Sequence, residues 1–167
     1  MIITHIKQFA IQYDESLRLL RAEWIGGHNM RLFRDAFRQL QQLGKELHIT
    51  KALLELNTLP DISAYDQLWL GVNWLPRLQQ LPLQQVVIVL GSAQVYNSQA
   101  IEMLLTTGRI PFKFDIQIFT QTSPAMHWLT DESPRLPGLL AAWHMAYGPG
   151  LPPMQSTTGP KAAYYWA

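Results

Sequence analysis

The order of its apolar stretches constrains this chain more than any other feature. Two strand patterns at the start, Ile6 to Tyr13 and Leu17 to Trp24, give way to helical and strand patterns that alternate up to Leu129. Strands separated by helix-length crossovers lie side by side only in a mostly parallel sheet. The expected fold is therefore α/β: a single mixed, mostly parallel sheet of about five strands, beginning with an antiparallel hairpin and with helices packed on it.

In the hairpin, Phe9, Ile11 and Tyr13 alternate with Ala10 and Gln12, and Leu20, Ala22 and Trp24 alternate with Arg21 and Glu23. That spacing predicts one face in the core and the other wetter. Asp14-Glu15-Ser16 reads as the turn, and Gly26-Gly27 ends the second strand. Asn29 then offers an N-cap, and Phe33, Ala36, Phe37, Leu40, Leu43 and Leu47 recur along one helical stripe. Gly44 falls near its end as a cap or a break before His48.

A third strand, Ala52 to Leu56, closes at Asn57-Thr58-Leu59-Pro60. Ser63 caps the next helix, with Leu68, Trp69, Val72 and Leu75 as its expected buried stripe and Pro76 as a kink or restart. Val86 to Leu90 shows no alternation, as a central strand covered on both faces requires. Asn97 to Thr107 reads as a further helix, stopped by Gly108. Phe114, Ile116 and Ile118 read as a last, edge strand, and Ser123 with Pro124 opens a short final helix.

Length and composition fit a single α/β domain over residues 1–132 followed by an extension over residues 133–167. In that extension fall six of the chain's eleven prolines and four of its ten glycines, yet Leu139, Leu140, Trp143 and Tyr164-Tyr165-Trp166 are too apolar for a solvated linker. They are expected to cover a sheet face or to dock on a second copy of the chain. A formal net charge of +1 argues against nucleic acid as a partner. The absence of cysteine excludes disulfides, thiolate metal sites and a cysteine nucleophile. No apolar run approaches membrane-span length and Met1 to Phe9 does not read as a signal peptide, so a cytoplasmic protein is expected.

The pattern resembles the STAS-like family, whose best-known members are anti-sigma-factor antagonists, and in particular its divergent bacterial branch of stand-alone domains. The residues that carry the resemblance lie between about positions 5 and 130, a single-domain span. They are Arg21-Ala22-Glu23-Trp24-Ile25-Gly26, Leu53 to Asp61, Trp69 with Trp74-Leu75-Pro76, and Ser123-Pro124-Ala125-Met126-His127-Trp128-Leu129. The resemblance implies a mixed sheet with helices against it and a regulatory or binding role. It also implies a phosphorylatable serine in an Asp-Ser-Ser-Gly-like stretch after the third strand. Here that stretch reads Asp61-Ile62-Ser63-Ala64, with the serine displaced and no following glycine.

Ser63 is accordingly the candidate regulatory serine, with helix capping as its plainer role. Arg31, Arg34 and Arg38, expected on one helical face, are candidate contacts for an anionic partner, or simply a solvated face, and Asp61 is a further candidate partner contact. Trp143, Tyr164, Tyr165 and Trp166 are candidate partner contacts on the extension. Trp69, Trp74 and Trp128 are candidate walls of an apolar pocket, or core. No catalytic residue is assigned. Gly26-Gly27 lacks a phosphate-loop ending, the acidic pairs stand without a base or nucleophile, and no nucleophile elbow is present. The five histidines lack ligand spacing, so neither metal nor cofactor is expected. The function expected is that of a non-enzymatic module acting through contacts with a protein partner or itself, as in a homodimer. A small carrier of a lipid or other apolar molecule, suggested by a CRAL-TRIO-like resemblance, is the alternative.

Overall fold

A computed structural model describes residues 1–107, 111–148 and 164–165. Strands β1 (Ile2–Ile3), β2 (Phe9–Asp14), β3 (Leu19–Trp24), β4 (Lys51–Glu55), β5 (Gln85–Val89), β6 (Asp115–Phe119) and β7 (Tyr164–Tyr165) form one mixed sheet whose spatial order is the chain order. β1, β2 and β3 pair antiparallel, β3 to β6 pair parallel, and β7 runs antiparallel to β6. The sheet therefore opens with a three-stranded meander rather than a bare hairpin. β6, expected at the edge, has β7 paired outside it.

Parallel strands in chain order, joined by right-handed crossovers, place every crossover helix on the same face. Those helices are α1 (Phe33–Glu46), a helical run from α2 (Ala64–Trp69) through α3 (Leu75–Arg77), and α4 (Val95–Thr107). Strand residues divide by parity between two cores, because alternate side chains point to opposite faces. Leu20, Ala22, Trp24, Leu54, Val86, Ile88, Ile116 and Ile118 join the crossover helices in the larger core. Leu19, Leu53, Val87, Val89 and Phe119 point the other way and meet α5 (Thr122–Thr130) and α6 (Leu136–Tyr147). Val86 to Leu90 is buried throughout, as its unbroken apolar run requires.

Capping and turn chemistry set the element ends. Asn29 accepts from the Arg31 amide at 3.1 Å and caps a 3₁₀ turn, Met30–Leu32, that leads into α1. Gly44 lies inside α1 rather than ending it, and its lack of a Cβ lets Ile49 close in, since a Cβ there would sit 2.9 Å from Ile49 Cδ1; the chain reverses instead at His48, φ 53°. Asn97, fully buried, accepts from the Ile62 amide at 2.9 Å and donates to the carbonyls of Leu59 and Pro60, fastening the β4–α2 connection to α4. α5 begins at Thr122, one residue before the expected cap Ser123, with no side-chain cap. At its other end Lys51 Nζ donates to the Leu129 carbonyl at 2.9 Å, a cation on the negative end of the helix.

Two expectations need correction. Leu68 and Val72 are 63% and 64% exposed, and the buried residues of that stretch are Trp69, Leu70, Leu75 and Leu78. Between α2 and α3 the chain makes a π-helical turn, Leu70–Trp74, whose extra residue per turn rotates the stripe, and Pro76 sits in the first turn of the restarted α3. Secondly, the hairpin has no wet face: all of β2 and all of β3 except Glu23 is buried. Residues 136–147, expected to belong to an extension, form α6 and lie across that face.

Candidate functional site

The expected site residues do not converge. Ser63 caps α2, its Oγ accepting from the Asp66 amide at 3.2 Å, and Asp61 is exposed just before it. Arg31 belongs to the 3₁₀ turn, so only Arg34 and Arg38 share a face of α1. Both are engaged within the chain: Arg34 Nε lies 2.8 Å from Asp66 Oδ1 and Arg38 Nη1 3.0 Å from Asp35 Oδ1, while both guanidinium groups hang over the Trp69 ring at 5.9 and 5.2 Å. Trp143 is buried against the chain's own sheet and is not a surface contact. Tyr164 and Tyr165 form β7, and Trp166 lies outside the described residues.

The three pocket candidates separate as well. Trp69 packs on Phe33, and Trp74 packs on Phe37 while its indole N–H donates to the Phe37 carbonyl at 2.7 Å. Trp128 stands on the opposite face against Phe119. Trp74 borders a void of about 30 Å³ between Phe37, Leu56, Ile88 and Ile101. Sites for drug-sized or lipid-like ligands run from about 300 Å³ upward, so this space is one of packing. Among the described residues no group of three or more metal-ligating side chains comes together, and no helix is long and apolar enough to cross a membrane.

Two features stand out that the sequence reading passed over. The first is an apolar surface shared by α2, the π turn and α4. Tyr65, Leu68 and Val72, spaced three and four residues apart, are 79%, 63% and 64% exposed, and on α4 Val95, Tyr96 and Met103 are exposed too. The two helices are in direct contact: Gln67 Nε2 donates to the Tyr96 hydroxyl at 3.2 Å, and Gly71 lets Leu104 approach to 3.2 Å of where a Cβ would stand. Arg34 and Arg38 flank this surface on the α1 side through Trp69 and Asp66. Leu68 and Val72 stand in the sequence as part of the stripe expected to be core, so spacing alone does not mark them as surface.

The second is a charged group beneath α6. Glu23 and Glu55 are register partners on adjacent parallel strands and point to one face, with Ala10 opposite Glu23 on its other side. Arg21, 7% exposed, stacks its guanidinium 3.7 Å from the centre of the Trp143 ring and places Nη2 3.7 Å from Glu55 Oε2. Asn57 holds the other oxygen of Glu55 at 3.0 Å, and Arg21 Nε and Glu55 Oε2 form no hydrogen bond among the described residues. Burial first, and then the neighbouring Glu55 carboxylate, push Glu23 up to about 7 against the opposing pull of Arg21. Burial likewise pulls Arg21 below its ordinary range, though a guanidinium keeps its charge in a protein.

No protein-family model matches this chain, and neither a curated protein nor a solved structure does.

Proposed function

We propose that this chain is a non-enzymatic binding module that acts through protein–protein contacts, and that the α2–α4 surface is its contact face. One observation carries the reading: Tyr65, Leu68 and Val72 lie outside on a helix whose other apolar residues fill the core. Large apolar side chains grouped on one surface mark interaction sites more often than they mark chance, since water disfavours leaving them bare. The aromatic and methionine content, Tyr65, Tyr96 and Met103, matches the composition of the buried centre of protein interfaces. A STAS-like regulatory module of the bacterial cytoplasm is the family-level form of this proposal, supported by the antiparallel start followed by chain-ordered parallel strands with helices on them. The proposed contact region moves from the arginines and the C-terminal aromatics to the α2–α4 face, which the arginines flank.

The test compares proteins retained from a native lysate by three forms of the full chain: the unaltered protein, a Leu68→Glu/Val72→Glu/Met103→Glu variant, and Met145→Glu as a control on α6. All three substituted surface positions and Met145 are exposed, so folding should survive. The expected result is a partner, or a second copy of the chain, held by the first and third forms and lost by the triple variant. Equal retention by all three contradicts the proposal. A small apolar molecule travelling with the unaltered chain in native mass spectrometry would instead support the carrier reading.

A further inference from the structure

α6 is held to the sheet by an unusual seam. Leu136, Leu139 and Trp143 are its buried residues and Leu140 packs partly buried beside them; polar ties supplement these. Arg135 Nε meets Asp14 Oδ2 at 2.8 Å, the Leu139 carbonyl accepts from Gln12 Nε2 at 2.9 Å, and the Tyr147 hydroxyl bridges the N–H and carbonyl of Ile11 at 3.0 Å each. Trp143 completes the seam by lying on the Arg21 guanidinium, not on an aliphatic side chain.

Under that indole the sheet presents two carboxylates and one cation. Glu23 and Glu55 share a register row, so their Cα atoms are separated by one interstrand step of about 4.8 Å. Arg21 stands one side-chain position back on the same face of β3 and favours Glu55, from which it is 3.7 Å away. From β2 the pair faces Ala10 and Gln12, neither of which titrates. From the β4–α2 connection it faces the neutral Asn57. From α6, Trp143 covers Arg21, the cation of the group. Arg135 on that helix is engaged at the far end with Asp14, and His144 points to solvent. One buried cation, covered by Trp143 of α6, therefore serves two carboxylates.

We propose that the Glu23–Glu55 pair makes the docking of α6 pH-dependent, the helix seating when the pair holds a proton and loosening when Glu23 ionises beside Glu55. A second negative charge in a partly dry site favours whichever arrangement readmits water, and lifting the C-terminal half of α6 readmits it. The direction follows from linkage. With Glu23 raised to about 7 in the closed arrangement, from 4.5 when hydrated, the closed form binds more protons between those two values. Closure is thus complete below the hydrated value and is lost as the pH climbs through 7. The Asp14–Arg135 tie does not loosen with it. Burial would raise Asp14, but Arg135 and the amides of Leu17 and Ser16 outweigh burial and hold Asp14 below its ordinary range, so it stays ionised throughout. The helix accordingly hinges at its N-terminal end.

Hydrogen exchange of the full chain, followed by mass spectrometry from pH 5.5 to 8 and corrected for intrinsic rates, reads this directly. Protection of the 136–147 peptide should fall by about tenfold over that range while β5 keeps its protection. In Glu23→Gln the loss should vanish, with protection at pH 8 as high as at pH 5.5. Constant protection in the unaltered chain overturns the proposal. So does an equal loss in Glu23→Gln, or a parallel loss in β5, which would signal global rather than local opening.

Discussion

Arg21 carries its charge on a strand, 93% out of reach of water by its 7% exposure, with an indole on one side and a carboxylate on the other. Removing one member of such a pair strands the other, which costs about 3 kcal/mol or more, whereas replacing both with neutral groups of similar volume is often close to neutral. Arg21→Ala should therefore lower stability by about 3 kcal/mol, and Arg21→Met/Glu55→Gln should return to within about 1 kcal/mol of the unaltered protein. Urea midpoints at constant slope measure both; a loss below about 0.5 kcal/mol for Arg21→Ala would show that the charge is hydrated. Arg21 and Gln12 alternate with apolar residues and so read as a wet face from sequence, while Asp14 reads as the start of the turn. Their partners explain the difference: Leu139 meets Gln12 from 127 residues away and Arg135 meets Asp14 from 121 away. No local pattern carries contacts of that range.

Among the elements, the helical run from Ala64 to Arg77 shows where periodicity succeeds and where it fails. α1 obeys a 3.6-residue period, and its stripe Phe33, Ala36, Phe37, Leu40 and Leu43 is buried as its spacing requires. The α2 stretch contains apolar residues on two phases, and the π turn at Leu70–Trp74 decides between them by adding a residue to one turn. Local spacing carries no signal of that insertion, so a regular helix puts Leu68 and Val72 in the core stripe and leaves Leu70 out of it. The consequence is measurable. Leu68→Glu should change stability by no more than about 0.5 kcal/mol, while Leu70→Ala, 5% exposed in the protein, should cost about 2 kcal/mol or more. Thermal or urea unfolding of the two variants separates the phases; a reversed order would restore the regular helix.

For the molecule as a whole, the strand run Val86 to Leu90 was legible because a strand covered on both faces has no polar residue to spare, and the sheet grew around it in chain order. The candidate site was far less legible. Exposure is a property of how helices lie against one another, and the contacts of Gln67 with Tyr96 and of Gly71 with Leu104 join segments about thirty residues apart. With one core closed by the crossover helices and the other by α5 and α6, the apolar side chains of α2 and α4 that remain outside form the proposed contact face. Photochemical carbene footprinting of the purified chain at pH 6, read by mass spectrometry, tests that division in one experiment. The expected result is labelling at Tyr65, Leu68, Val72 and Met103 with Leu70, Trp143 and Val86 to Leu90 protected. Labelling of Trp143 and Val87 together with protection of Leu68 and Val72 would contradict it.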